Sequence, residues 1–146
     1  MSWMRTLVVV LFAGLALAQP TLRLEEGWVR RVPGNITAAY MVLYNPTDQP
    51  LKIVGASTPI ATRVEFHQTT QAGQEGSLDL SAMRRVDILT VPARGRLKIL
   101  PGGYHLMLYG LREKNPQPLA EGQKVPITLR LEGGASLTFT LTAQMR

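Results

Sequence analysis

The chain has 146 residues, room for one domain whose own hydrophobic core suffices for folding. It contains no cysteine, which excludes disulfides, zinc–thiolate sites, redox pairs, blue-copper centres and cysteine nucleophiles. Its net charge of +6 comes from basic residues scattered singly, with pairs at Arg30-Arg31 and Arg84-Arg85; a nucleic-acid binder would concentrate them on one face with aromatics between, so the charge describes a solvated basic surface suited to an acidic partner.

The first eighteen residues read as a secretory signal peptide. Arg5 supplies the positive start, Leu7 to Leu17 the apolar run, and Ala16-Leu17-Ala18 the small-x-small cleavage site. The run falls short of the ~20 residues of a spanning helix, and no cysteine follows it to carry a lipid. The expectation is a periplasmic or otherwise exported mature domain over residues 19–146, with no membrane span and no second domain.

From Gln19-Pro20 onward the chain is a series of short β segments separated by turn residues. Leu22 to Val32 alternates and breaks at Pro33-Gly34-Asn35. Thr37 to Tyr44 is rich in apolar and aromatic residues and stops at Asn45-Pro46. Leu51–Ala56, Arg63–Thr69, Met83–Val91, Arg96–Leu100 and Tyr104–Leu108 follow, then Val125–Leu131 and Ser136–Thr142. Gln71 to Ser77 and Arg112 to Gly122 read as loops. Gly133-Gly134 between two alternating runs marks a hairpin with a primed turn. About seven to nine strands at this spacing, with no sustained helical period, predict an all-β antiparallel sandwich or barrel.

Motifs of enzymes are missing. The sequence holds no G-x-S-x-G elbow, no phosphate-binding glycine loop, no HExxH pair and no DxDxD calcium loop. The carboxylates Glu65, Asp79 and Asp87 are isolated in sequence, and nothing in the sequence pairs them. No enzyme is indicated.

What remains is the placement of histidine and methionine. In RVEFHQT, Val64 and Phe66 face the core, so Arg63, Glu65 and His67 project the other way. In GGYHLMLYG, His105 and Met107 likewise lie opposite Leu106 and Leu108. Met83 opens a strand at a loop edge, outside any apolar run, whereas Met41 sits within AAYMVLY as core and Met145 is terminal. Imidazole and thioether without thiolate or carboxylate form a soft, neutral ligand set that selects Cu(I); zinc would ask for a further nitrogen, a carboxylate or a thiolate. Methionine as a core gap-filler and histidine as a surface residue form the competing explanation.

With His67, then Met83, then twenty-one residues, then His105-Leu106-Met107, the chain resembles the periplasmic copper(I) chaperones of the PCuAC type. GWVRRVPG and AAYMVLYNP are similar to that family's first two strands, and PGGYHLMLYGL with LAEGQKVPITLRLEGG to its close, so the likeness spans nearly the whole mature chain. There are two departures. Fifteen residues separate His67 from Met83, longer than the family's usual interval, with QAGQEGS positioned to absorb the excess. Gln68 follows His67 where many relatives have methionine.

The resemblance implies a cupredoxin-like β-sandwich acting as a monomer. It implies one Cu(I) held as cargo by His67, Met83, His105 and Met107. It also implies delivery of that ion to the CuA centre of cytochrome c oxidase subunit II. The chain stops at Ala143-Gln144-Met145-Arg146, without the His- and Met-rich tail by which some relatives bind Cu(II). A metal-free exported interaction or adhesion sandwich is the alternative, and it predicts that the four side chains lie apart.

Overall fold

A computed structural model describes residues 21–69 and 83–146. The expected signal peptide and the Gln71–Ser77 loop lie outside the described residues. Ten strands form: β1 (Arg23–Arg30), β2 (Ile36–Tyr44), β3 (Leu51–Ser57), β4 (Arg63–Thr69), β5 (Met83–Val86), β6 (Leu89–Val91), β7 (Arg96–Ile99), β8 (Tyr104–Tyr109), β9 (Lys124–Leu131) and β10 (Ser136–Gln144). A single helical turn, α1 (Leu111–Lys114), follows β8 and overlaps the start of the segment expected as loop, Arg112 to Gly122. The extra strand arises because Met83–Val91 is two elements. Val86 pairs with Phe66 of β4 while Leu89 pairs with Ile53 of β3, so the chain crosses between layers at Asp87-Ile88.

The strands run in the order β5-β4-β8-β2-β1-β10-β9-β3-β6, with β7 pairing the second half of β2. All neighbours are antiparallel except β1 and β10, which run parallel. One continuous sheet curls into a nearly closed, barrel-like sandwich. Between its layers lies the main core, to which β8 contributes Leu106 and Leu108, β4 Phe66, β2 Ala39, Met41 and Leu43, and β9 Val125, Ile127 and Leu129. Inward residues of each strand alternate with outward ones, as the pleat requires. The methionine read as core, Met41, is fully buried here.

β2 departs from simple alternation, for both of its faces are covered. Ala39, Met41 and Leu43 enter the main core, while Ala38 and Tyr40 join Trp28 and Met107 in a second, smaller apolar cluster on the opposite face. That explains why TAAYMVLY reads as a nearly unbroken apolar run. The β9–β10 hairpin forms as expected, but residues Glu132 to Gly134 make up the loop and both glycines have positive φ, 95° and 101°.

Candidate metal centre

Strand register brings the candidate residues to one place. Antiparallel pairing of β4 with β8 sets His67 directly opposite His105 and Glu65 opposite Met107. Pairing of β4 with β5 sets Met83 opposite Thr69, two residues from His67 and on the same face. The His105 Nε2 atom lies 3.1 Å from Met83 Sδ, and the two imidazole rings are 5.9 Å apart, centroid to centroid. Met107 belongs to the second apolar cluster, against which Met83 packs. All four therefore share the face of the β5-β4-β8 end of the sheet that is turned away from the main core, and the alternative in which they lie apart does not describe this structure.

Their surroundings differ from what strand alternation suggests. An outward phase in a two-layer fold ordinarily means exposure, yet Met107 is 0 %, His105 2 % and His67 8 % exposed. The reason is the second apolar cluster. Trp28 and Tyr40 stack with centroids 5.1 Å apart, Tyr40 lies 6.4 Å from the His105 ring, and Tyr109 lies 6.3 Å from His67. Arginines cover the aromatic faces: Arg146 over Trp28 at 3.7 Å, Arg63 over Tyr109 at 4.1 Å and Arg30 over Tyr40 at 5.2 Å. Met83, on the terminal strand β5, is the one candidate ligand that keeps partial exposure.

The two histidines meet different partners. Nδ1 of His105 faces the Gly103 carbonyl at 3.4 Å and Nε2 faces Met83 Sδ at 3.1 Å; both partners only accept, so the neutral ring donates to one of them, and with the proton on Nδ1 the Nε2 lone pair is free for a metal beside Met83. His67 is held differently. Its Nε2 lies 3.1 Å from a Glu65 carboxylate oxygen and 3.4 Å from the Tyr109 hydroxyl, while its Nδ1 is buried with no hydrogen-bond partner among the described residues. A buried lone pair without a partner is costly in an apolar setting, and a soft cation is the kind of group that would satisfy it.

Burial pushes the His105 imidazole below the ordinary histidine value; the Gly103 carbonyl opposes this, and the proximity of His67 and of the Arg30 guanidinium lowers it further. Glu65 is held below the usual carboxylate range, chiefly by its hydrogen bond with His67, with Arg85 and Arg63 contributing. Both guanidiniums stand 3.6 Å from Glu65. Burial raises the Tyr109 and Tyr40 phenols. The neutral state of His105 and the anionic state of Glu65 are thus both favoured by the fold.

Among the described residues no group of three His, Cys, Asp or Glu side chains could hold a metal. The donors gathered beside the two histidines are instead the thioethers of Met83 and Met107, which suit soft ions. Glu65 and Tyr109 are the functional candidates that sequence patterning did not single out. Glu65 shares the phase of His67, a signal present in RVEFHQT, but its contact with the ring is visible only in three dimensions.

Comparison with known proteins gives this geometry a family. A copper-bound PCuAC domain from PmoF2 superposes with a TM-score of 0.63 over 86 % of this chain and 93 % of that one, at 20 % identity, a likeness of fold alone. The Cu(I)-bound solution structure of DR1885 from Deinococcus radiodurans is 38 % identical, with a TM-score of 0.64, covering 91 % of this chain and 83 % of that one. Fold and relatives together define a cupredoxin-like domain of the PCuAC type. The family model described as "Putative lipoprotein LpqE-like" matches residues 22–143, and the chain belongs to this LpqE-like family. A relative from Leifsonia xyli subsp. xyli, described as "Putative lipoprotein Lxx21020", is 31 % identical over 116 residues, 79 % of this chain. The match spans 64 % of that relative's length.

Proposed function

We propose that this protein is an exported copper carrier that binds one Cu(I) through His67, Met83, His105 and Met107. The observation that carries the reading is the meeting of His105 Nε2 and Met83 Sδ at 3.1 Å, beside a second histidine whose Nδ1 is buried and unpartnered. Two imidazoles and two thioethers are neutral and soft, and they suit a closed-shell monovalent ion. The function is carriage rather than catalysis. The Cu(I)-bound relative at 38 % identity supports it.

The proposed acceptor is the CuA centre of cytochrome c oxidase subunit II, reached after export by a signal peptide cleaved near Ala18. The mature domain, residues 19–146, would act as a monomer. Release proceeds by ligand exchange, and Met83 is the natural point of entry because it lies on a terminal strand and is the least buried of the four. The aromatic and arginine cover over the remaining ligands keeps water and adventitious oxidants away until an acceptor ligand displaces the Met83 thioether.

The test has two stages. Cu(I) is titrated into the mature protein against a chromophoric Cu(I) chelator, with saturation expected at one equivalent. The loaded protein is then mixed with an apo CuA domain, whose absorption bands report arrival. Failure to compete with the chelator would remove copper carriage; tight binding without transfer would remove only the acceptor.

A further inference from the structure

The copper reading leaves open which nitrogen of His67 meets the ion and what selects it. An imidazole offers two, and its hydrogen-bond partner decides between them. Three observations bear on the choice. Glu65 stands between the guanidiniums of Arg63 and Arg85, as an accepting carboxylate does, so the 3.1 Å contact places a proton on His67 Nε2. The carboxylate is itself fixed, with Arg63 and Arg85 each 3.6 Å from the same oxygen, Oε1, leaving Oε2 for the imidazole. Its side chain is only 18 % exposed, so water competes weakly for that oxygen. Finally, His67 Nδ1 is enclosed and has no protein partner among the described residues.

Resting on the copper reading above, we propose that Glu65 is a positioning residue: it holds His67 as the Nε2-protonated tautomer and thereby makes Nδ1, not Nε2, the copper-binding atom. The two histidines then bind through different nitrogens, His67 through Nδ1 and His105 through Nε2. The asymmetry follows from their partners. His105 spends Nδ1 on the backbone carbonyl of its own strand entry, Gly103, whereas His67 spends Nε2 on a side chain two residues before it. Glu65 also places one negative charge behind a ligand that is otherwise neutral, strengthening the lone pair on Nδ1. Arg63 and Arg85 keep that carboxylate from turning toward the cation as a ligand in its own right.

The test is long-range proton–nitrogen correlation of the 15N-labelled mature protein, free and loaded with Cu(I), beside chelator competition. The free protein should show His67 protonated at Nε2, and loading should shift Nδ1 of His67 and Nε2 of His105. In Glu65→Ala the fixed tautomer is lost and Cu(I) affinity falls about 10–100-fold, the range for removing such a partner from a ligating histidine. Glu65→Gln, which keeps an acceptor oxygen without the charge, restores the Nε2-protonated tautomer and part of the affinity. In a His67→Ala background, Glu65→Ala should change affinity no further. A free-state proton on Nδ1, or a copper-induced shift of His67 Nε2, overturns the inference and leaves copper carriage standing. Absence of any copper-induced shift at either histidine overturns both.

Discussion

His105 and Met83 stand 22 positions apart in the chain, yet the imidazole nitrogen and the thioether sulfur touch at 3.1 Å. The contact exists because β4 lies between their strands and pairs with both, β8 on one side and β5 on the other. Met83 thus reaches across Thr69 and His67 toward β8 rather than into the main core. From that contact, and from the burial around it, the behaviour of the site can be derived.

Replacing Met83 and Met107 by Leu should separate ligation from packing. Leucine conserves volume and apolar character, so each change should cost less than about 1.5 kcal/mol of stability. It supplies no lone pair, so Cu(I) affinity should fall by about tenfold or more for each, which is at least ~1.4 kcal/mol of binding. Unchanged affinity in the double variant, measured by chelator competition, would remove the thioethers from the site.

Acid should weaken the metal-free protein in a specific window. Burial lowers the folded-state pKa of His105, so below the ordinary value of ~6.5 the unfolded chain takes up a proton that the folded one refuses. The stability contributed by neutral His105 is complete above that value and is lost as pH falls toward the lowered folded one. Glu65, lowered from 4.5, adds a loss in the same direction further down. Denaturant unfolding at stepped pH should show stability declining below about 6.5, and His105→Gln should flatten the upper part of that decline. Copper binding through His105 should correspondingly persist to lower pH than a free histidine would allow.

Trp28 should report copper. With residues 1–18 removed it is the sole tryptophan of the sequence, and it contacts Tyr40, which in turn neighbours His105. Its emission should change on Cu(I) addition and level off at one equivalent. Trp28→Phe should abolish the signal while leaving affinity within a few-fold of the parent; a large loss of affinity would mean that the indole does more than line the cluster.

Gly110 should not tolerate a side chain. It follows β8 directly at φ +75°, and a Cβ there would collide with the Thr62 side chain. Thr62 cannot retreat easily, because both its backbone N–H and its hydroxyl donate to the Tyr109 carbonyl, at 2.8 Å and 3.1 Å. Gly110→Ala should cost roughly 1–3 kcal/mol for the backbone conformation alone, with the collision adding to it. Thermal unfolding measures the loss, and a change within 0.5 kcal/mol, the ordinary range for a surface substitution, would contradict the geometry.

The strand alternation of RVEFHQT and GGYHLMLYG by itself put His67, His105 and Met107 on the face away from Phe66, Leu106 and Leu108, since side-chain direction in a strand is fixed by a period of two. The missing cysteines and the mixture of imidazole with thioether likewise fixed the chemical softness of any site those residues could build. Alternation says nothing about what lies over a face. That Trp28, Ala38 and Tyr40 cover this one, turning outward ligands into buried ones, depends on β1 and β2 lying beside β8 in the sheet. Nor could local pattern divide Met83–Val91 between two layers, since Asp87-Ile88 carries no strong break and only the separate pairings of Val86 and Leu89 reveal the crossing. Register decided the rest: pairing β4 with both β5 and β8 made one site of residues far apart in sequence, and brought Arg85 of β5 to the Glu65 carboxylate that meets His67 Nε2.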